Sequence, residues 1–307
     1  MRVLIAGLGI QGGKRLAVAG DEVVATVDPV LAKARYKSVS EVPLEAYDAA
    51  LLCIPDAAKL ELIEYLIVHG KHVMVEKPLL AEDGGRLRNL LSLSAGRNLA
   101  CYTAYNHRFE PHIAKLKAHL DSGVLGRVYH ARFFYGNGTA RDVRNSVWRD
   151  QGMGVLADLG SHLLDMALFL FGPNLGAFQA WSCHRFENRT CDYATFGSPG
   201  PPAIEMTTSL MSWRNTFSLD VHGELGSAHI QGLLKWGPST LTLRKRVLPS
   251  GRPDEEQCTL SGADPTWSIE YQYFKGLCRN GGTNLQNDVR ISAILKDLMR
   301  QTSGAPS

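Results

Sequence analysis

The chain has 307 residues, 45% of them hydrophobic and 21% charged, the proportions of a soluble globular enzyme with room for two domains. A net charge of +3, with basic residues scattered and only Arg244-Lys245-Arg246 clustered, gives no stripe for nucleic acid. The apolar start Met1–Ala6 breaks at Gly7 and Gly9, too early for a signal peptide, and no run is long enough to span a bilayer, so a cytoplasmic, membrane-free setting is expected.

The first hundred residues alternate strand and helix. Arg2–Ala6 predicts a strand, Gly7–Gly12 a glycine-rich turn, and the stretch to Ala19 a helix. A β-branched strand, Glu22–Val27, closes at Asp28-Pro29, and a short helix is expected over Leu31–Tyr36. Ala49–Ile54 reads as a buried strand stopped by Pro55. Leu60, Ile63, Leu66 and Ile67 have helical spacing within Lys59–His69, and Gly70 caps that helix. The strand Val73–Val75, a helix over about 82–93 and the strand Leu99–Thr103 follow. Such repeats specify an α/β fold, a doubly wound parallel sheet of the dinucleotide-binding (Rossmann) kind.

The pattern changes after residue 110. A helix near Ile113–Leu120 and a strand at Val128–Tyr135 lead to a polar loop, then to an apolar helix over Val155–Phe171. From Gln179 to about Leu260 the alternation has period two, as in Phe217–Val221 and Thr240–Leu243. Those strands are expected to form an open, mostly antiparallel sheet, with helices near Ile269–Arg279 and Val289–Arg300 closing an α+β domain. The expected domains are therefore 1–110 and 111–307. Six cysteines stand far apart without a C-x-x-C pair, and Cys53 and Cys101 fall in apolar runs, which argues for core thiols and against a disulfide framework or a zinc site.

Three groups carry chemistry. Gly7, Gly9 and Gly12 form G-x-G-x-x-G between a strand and a helix: one glycine for the tight turn, one for backbone approach to a pyrophosphate, one for close packing. Ile10 and Gln11 lie within the same turn. Asp28, at the end of the second strand, is placed to bind ribose hydroxyls and to repel a 2′-phosphate, which favours NAD; Lys33 and Arg35 keep NADP open. Asp28 also reads as a turn former before proline. Glu76-Lys77-Pro78 stands at the carboxyl end of a buried strand, where ligands of open parallel sheets bind. Asp158 and His162 are four apart on one helix face, a carboxylate that supports an imidazole as a general base. Asp165 is placed to brace His162 or the first turn.

With these motifs in this order, and with Tyr105-Asn106-His107-Arg108-Phe109 and Gly123-x-x-Gly126 besides, the chain resembles the glucose-fructose oxidoreductase/inositol dehydrogenase family over nearly its whole length. The resemblance implies hydride transfer between nicotinamide and a secondary alcohol of a sugar or cyclitol. It also implies dimers or tetramers built through the C-terminal sheet. It assigns Lys77 to the reacting hydroxyl and Asp158 with His162 to the same centre, His162 as base. Pro78 matches a proline often preceded by a cis bond, and Glu76 holds the turn. Pro55 joins the glycine turn, Asp28, Glu76 and Lys77 as a cofactor residue. Asn106 and Arg108 are expected to face nicotinamide or substrate.

The loop Arg141–Arg149 bears on substrate. Arg141, Arg144 and Arg149 suit phosphate or carboxylate and Trp148 suits a sugar or base face, a composition compatible with a nucleotide-linked or anionic sugar. A free sugar or inositol is the alternative. A dinucleotide-sensing regulator without activity is the alternative of another class, and it predicts loss of the lysine or the histidine, both of which are present.

Overall fold

The structure is a computed structural model and describes residues 1–146 and 149–303; the chain divides into two units. The first comprises Met1–Asn106 and Thr266–Ser292, the second His107–Pro265 and the chain from Ala293 onward.

In the first unit, β1 (Val3–Ala6), α1 (Ile10–Ala19), β2 (Val23–Val27), β3 (Ala49–Leu52), α2 (Asp56–Val68), β4 (His72–Glu76), α3 (Gly84–Gly96) and β5 (Cys101–Ala104) follow in order. The five strands run parallel in the order β2-β1-β3-β4-β5. Every residue of β1, β3 and β5 is buried, which is why β1 and β3 read as unbroken apolar runs and β5 is broken only by Thr103. With β1 between β2 and β3, the order reverses at β1, and the glycine turn leaves the sheet at that switch point. Burial pushes the Cys53 and Cys101 thiols well up, so they are core groups.

No helix forms over Leu31–Tyr36. The Asp28 carboxylate takes the N–H groups of Val30 and Leu31, Thr26 Oγ1 takes that of Arg35, and Tyr36 pairs with the end of β2. The bonds of Arg35 and Tyr36 to Thr26 take the N–H groups that a helical ladder would need, over a segment too short to sustain one.

The return of residues 266–292 to the first unit departs from the expected boundary. Polar contacts account for it. On α7 (Thr266–Asn280), fully buried Glu270 bonds Arg15 and Tyr102, while Tyr271 and Lys275 bond Glu22. Asn284 makes two 2.8 Å bonds to the backbone of Thr103, and Asp288, on α8 (Leu285–Ser303), accepts from Thr103 and Tyr105.

The second unit holds α4 (Pro111–Asp121), β6 (Val128–Gly136), α5 (Ala140–Arg144), α6 (Ser161–Phe171) and β7 (Gln179–His184). Then come β8 (Tyr193–Ser198), β9 (Ala203–Ser209), β10 (Thr216–Gly223), β11 (Gly226–Gln231), β12 (Ser239–Lys245) and β13 (Glu255–Leu260). The eight strands form one open sheet, β13-β12-β11-β10-β6-β9-β8-β7, antiparallel except for the parallel pair β6 and β9. One face is apolar, with Ala131, Phe133, Leu219, Val221 and Ile230 buried; the other carries His130, Arg132, Asp220, His222 and His229. Cys183 and Cys191 are paired across the β7–β8 hairpin, a pairing that the wide cysteine spacing did not lead one to expect. Among the described residues no helix is long and apolar enough to cross a membrane.

Candidate functional site

The glycine turn has the geometry that its three glycines require. Gly7 has φ +87°, and a Cβ there would overlap the Cys53 carbonyl. A Cβ on Gly12 would collide with the Gly7 carbonyl oxygen, so only glycine lets α1 sit this close to β1. At Gly9 a Cβ would meet nothing within 4 Å, which leaves the backbone open to an incoming group. No side chain caps α1 and its first turn has no acidic residue, so its leading N–H groups and positive dipole end are presented to an anion. Ile10, the first residue of α1, is 82% exposed. These residues fit the pyrophosphate and adenosine of NAD.

Asp28 is only 8% exposed. Its Oδ1 accepts from Val30 and Leu31 and its Oδ2 from Leu8, each at 2.9 Å. The N–H groups of Leu31 and Leu8, joined by Val30, hold the carboxyl below its ordinary range in spite of burial. The turn-forming reading of Asp28 is thus realised. Pro55 immediately precedes α2, at the carboxyl end of β3.

Lys77 follows the last residue of β4, half-buried, and the Lys77–Pro78 bond is cis. Two buried cations from neighbouring helices hold this turn. Arg15 of α1 donates from Nε to Glu76 Oε1 and from Nη2 to Glu270 Oε2, both at 2.7 Å. Burial opposes the charge of Arg15, yet Glu270 and Glu76 more than offset it and hold the guanidinium above its usual range. Burial pushes the Glu270 carboxyl up, with Arg15 pulling against it. Lys59 of α2 donates to the carbonyl oxygens of Glu76, at 2.6 Å, and Pro78, at 2.8 Å.

In the second unit, Asp158 lies in a π turn, Leu156–Gly160, that leads directly into α6. Single π turns are rare and occur often at functional sites. His162, in the first turn of α6, is buried and stacks on His107, with ring centroids 4.0 Å apart and planes at 18°. Tyr135, at the end of β6, lies 5.9 Å from the His162 ring. Burial, with the charge of Asp158 adding to it, pushes the Tyr135 phenol well up. Lys235 Nζ is 2.9 Å from His107 Nε2 and 3.2 Å from Tyr135 Oη. The second unit thus brings an imidazole pair, a phenol, an ammonium and a carboxylate to one place. That set can exchange protons with a bound hydroxyl.

The structure gives several of these residues partners within the chain. Asn106 is buried, and its Nδ2 donates to Thr266 Oγ1 at 2.8 Å. Arg108 makes a two-pronged pair with buried Asp165, Nε to Oδ2 at 2.6 Å and Nη2 to Oδ1. Asp165 therefore holds Arg108. Arg144 donates to the Glu187 carbonyl, Arg141 is 3.7 Å from the Glu187 carboxylate, and Arg149 is 3.8 Å from Asp158. Trp148 lies outside the described residues. Sequence reasoning missed Arg15, Lys59, Tyr135, Lys235 and Glu270. A lysine in the first turn of α2, against the helix dipole, was the one readable sign of an outside partner.

Comparison with known proteins follows the same lines. Residues 1–103 match the model of an oxidoreductase family with an NAD-binding Rossmann fold, and residues 113–229 match the GFO/IDH/MocA C-terminal domain. Levoglucosan dehydrogenase of Pseudarthrobacter phenanthrenivorans is 32% identical over 108 residues, 34% of this chain and 27% of that protein. The scyllo-inositol 2-dehydrogenase (NAD(+)) of Bacillus subtilis is 22% identical over 302 residues, 92% of this chain and 84% of that one. The matches to the first curated relatives span from about a quarter to just over half of those relatives' own lengths. A solved levoglucosan dehydrogenase in complex with NADH superposes with a TM-score of 0.86 at 18% identity, covering 99% of this chain and 97% of that one; at that identity the likeness concerns the fold alone. With both of its halves matched by models of one family, the chain belongs to the GFO/IDH/MocA oxidoreductases and carries their NAD-binding Rossmann domain.

Proposed function

We propose that the chain is an NAD-dependent dehydrogenase acting on a secondary hydroxyl of a sugar or cyclitol. The observation that carries this reading is the placement of Lys77: at the carboxyl end of an interior parallel strand, in a turn held by buried Arg15 and Lys59. Elaborate support for an ammonium next to a nicotinamide-binding sheet is what a reacting hydroxyl needs. It has no purpose in a passive strand end.

In this reading Lys77 hydrogen-bonds the reacting oxygen and stabilises the negative charge that develops there. His162 takes up the hydroxyl proton, and Asp158 favours the charged imidazole that results. NAD, when bound, supplies the hydride acceptor. Asp28 meets the ribose hydroxyls and the open end of α1 meets the pyrophosphate.

A neutral sugar or cyclitol accords with the arginines. Among the described residues of this loop, Arg144 and Arg141 face the Glu187 loop and Arg149 lies beside the Asp158 carboxylate, so each arginine has an acceptor or a carboxylate near it. The names of two relatives, levoglucosan dehydrogenase and scyllo-inositol 2-dehydrogenase, point the same way.

The test is formation of NADH with levoglucosan, myo-inositol, D-glucose and dTDP-glucose, alongside fluorescence titration of NADH. Turnover of an uncharged member supports the proposal. Turnover of dTDP-glucose alone would make Arg141 and Arg149 phosphate partners instead. Tight NADH binding without turnover of any sugar would favour a dinucleotide sensor.

A further inference from the structure

We infer that Lys59 is a positioning residue for Lys77, an inference that rests on the proposed reading of Lys77. Lys59 is 2% exposed, and burying an ammonium is costly unless all of its donors are satisfied. They are. Its three N–H groups meet three acceptors: Asp56 Oδ1 at 2.6 Å, the Glu76 carbonyl at 2.6 Å and the Pro78 carbonyl at 2.8 Å. The two carbonyls belong to the residues immediately before and after Lys77.

This geometry has a specific consequence. A lysine side chain has four rotatable bonds, and its reach is only as well defined as the backbone from which it starts. By clamping the peptide oxygens on both sides of Lys77 against α2, Lys59 fixes where the Lys77 stem begins and which way it leaves the turn. Pre-organisation to within about half an ångström is what a reacting group requires. A core position could be filled by leucine at far lower desolvation cost, so packing gives no reason for a charge here. Burial lowers the basicity of Lys59, whereas Asp56 and Glu76 raise it and the charge of Lys77 opposes it. Asp56 supplies the compensating charge. The side chain of Asp56 is itself largely exposed, and it serves as a hinge-side anchor without entering the sheet.

Glu76 completes the brace from its other end. Its backbone oxygen is held by Lys59 and its carboxylate by Arg15, which lies one turn into the helix opened by the glycine motif. The lysine turn is thus fastened to both helices that begin at the cofactor strands.

The experiment is a mutant cycle, Lys59→Met and Lys77→Ala singly and together. It uses whichever sugar of the panel is turned over, with NADH titration and amide hydrogen exchange of the peptide spanning residues 76–79. Lys59→Met is expected to lower kcat about thirtyfold or more, since displacement by about an ångström costs on that order. The NADH dissociation constant should stay within twofold. In the Lys77→Ala background the same change should cost less than threefold further, and exchange over 76–79 should quicken at least tenfold. Should Lys59→Met fail to fold, Asp56→Asn is expected to reproduce the pattern at several-fold size. Full kcat in Lys59→Met, or an equal loss with and without Lys77, or unchanged exchange at 76–79, overturns the inference. If Lys77→Ala itself leaves turnover intact, the proposed role of Lys77 fails first and is identified as the cause.

Discussion

Replacement of Asp28 by asparagine separates its turn-forming role from the cofactor role proposed for it. In the wild type, Oδ1 serves the N–H groups of Val30 and Leu31 and Oδ2 serves that of buried Leu8. Asparagine retains one acceptor oxygen. If that oxygen faces Val30 and Leu31, its amide nitrogen confronts the Leu8 N–H, donor against donor. A buried donor left unsatisfied costs about 1–3 kcal/mol, which for a unit of this size lowers Tm by roughly 2–10 °C. The functional role has a different magnitude. A 2′-phosphate about 4 Å from a carboxylate is repelled by roughly 4 kcal/mol per pair of unit charges at an effective dielectric constant near 20, before solvent screening. Even a third of that is about a tenfold preference. Asp28→Asn should therefore reduce the ratio of NADPH to NADH dissociation constants by about tenfold or more. The assay is fluorescence titration of both cofactors on both proteins, with a thermal melt of each. A lowered Tm with an unchanged cofactor ratio would refute the reasoning and leave Asp28 as a turn former only.

Gly9→Ala should fold with nearly wild-type stability, since its Cβ enters open space, yet bind NADH more weakly; Gly12→Ala should lose about 2 kcal/mol or more, because its methyl collides with the Gly7 carbonyl. Melting curves and NADH titration check both. Glu270→Leu removes the fully buried partner of Arg15 and should destabilise by about 3 kcal/mol, read as a lowered urea midpoint. Burial holds His72, His112 and His222 below their ordinary range. The unfolded value near 6.5 is then the higher, so the unfolded chain binds protons first, and stability is full above about pH 6.5 and falls below it. A Tm that stays level from about pH 8 to about pH 5 would contradict this.

Much of the first unit was legible because its strands are buried on both faces and announce themselves as apolar runs. The three glycines fall where the chain makes a tight turn, an open approach and a close crossing. Lys77 was legible for the same reason: a charge directly after Val73–Val75 has few other places to be. What stayed hidden depends on contacts between distant residues. Nothing near Arg15 in sequence announces Glu76, 61 residues away, or Glu270, 255 away. Glu270 sits on an ordinary amphipathic helix, and its bond to Arg15, like those of Asn284 and Asp288 to Thr103, ties residues 266–292 to the first unit across a sequence distance that leaves no local sign. Arg108 looked available until Asp165 met it across 57 residues. The Leu31–Tyr36 helix failed because Thr26 takes the N–H groups of Arg35 and Tyr36, which a helix would have bonded to Leu31 and Ala32. In the second unit, period two predicted the sheet but not the order of its strands, and the parallel β6–β9 pair leaves no trace in either strand alone.

The most direct test of the proposed chemistry is the turnover number of Lys77→Ala and His162→Ala, beside the wild type, on a sugar that the wild type oxidises with NAD. Both variants are expected to bind NADH within about twofold of the wild type and to lose about a hundredfold or more in kcat. Wild-type turnover in both would contradict the account.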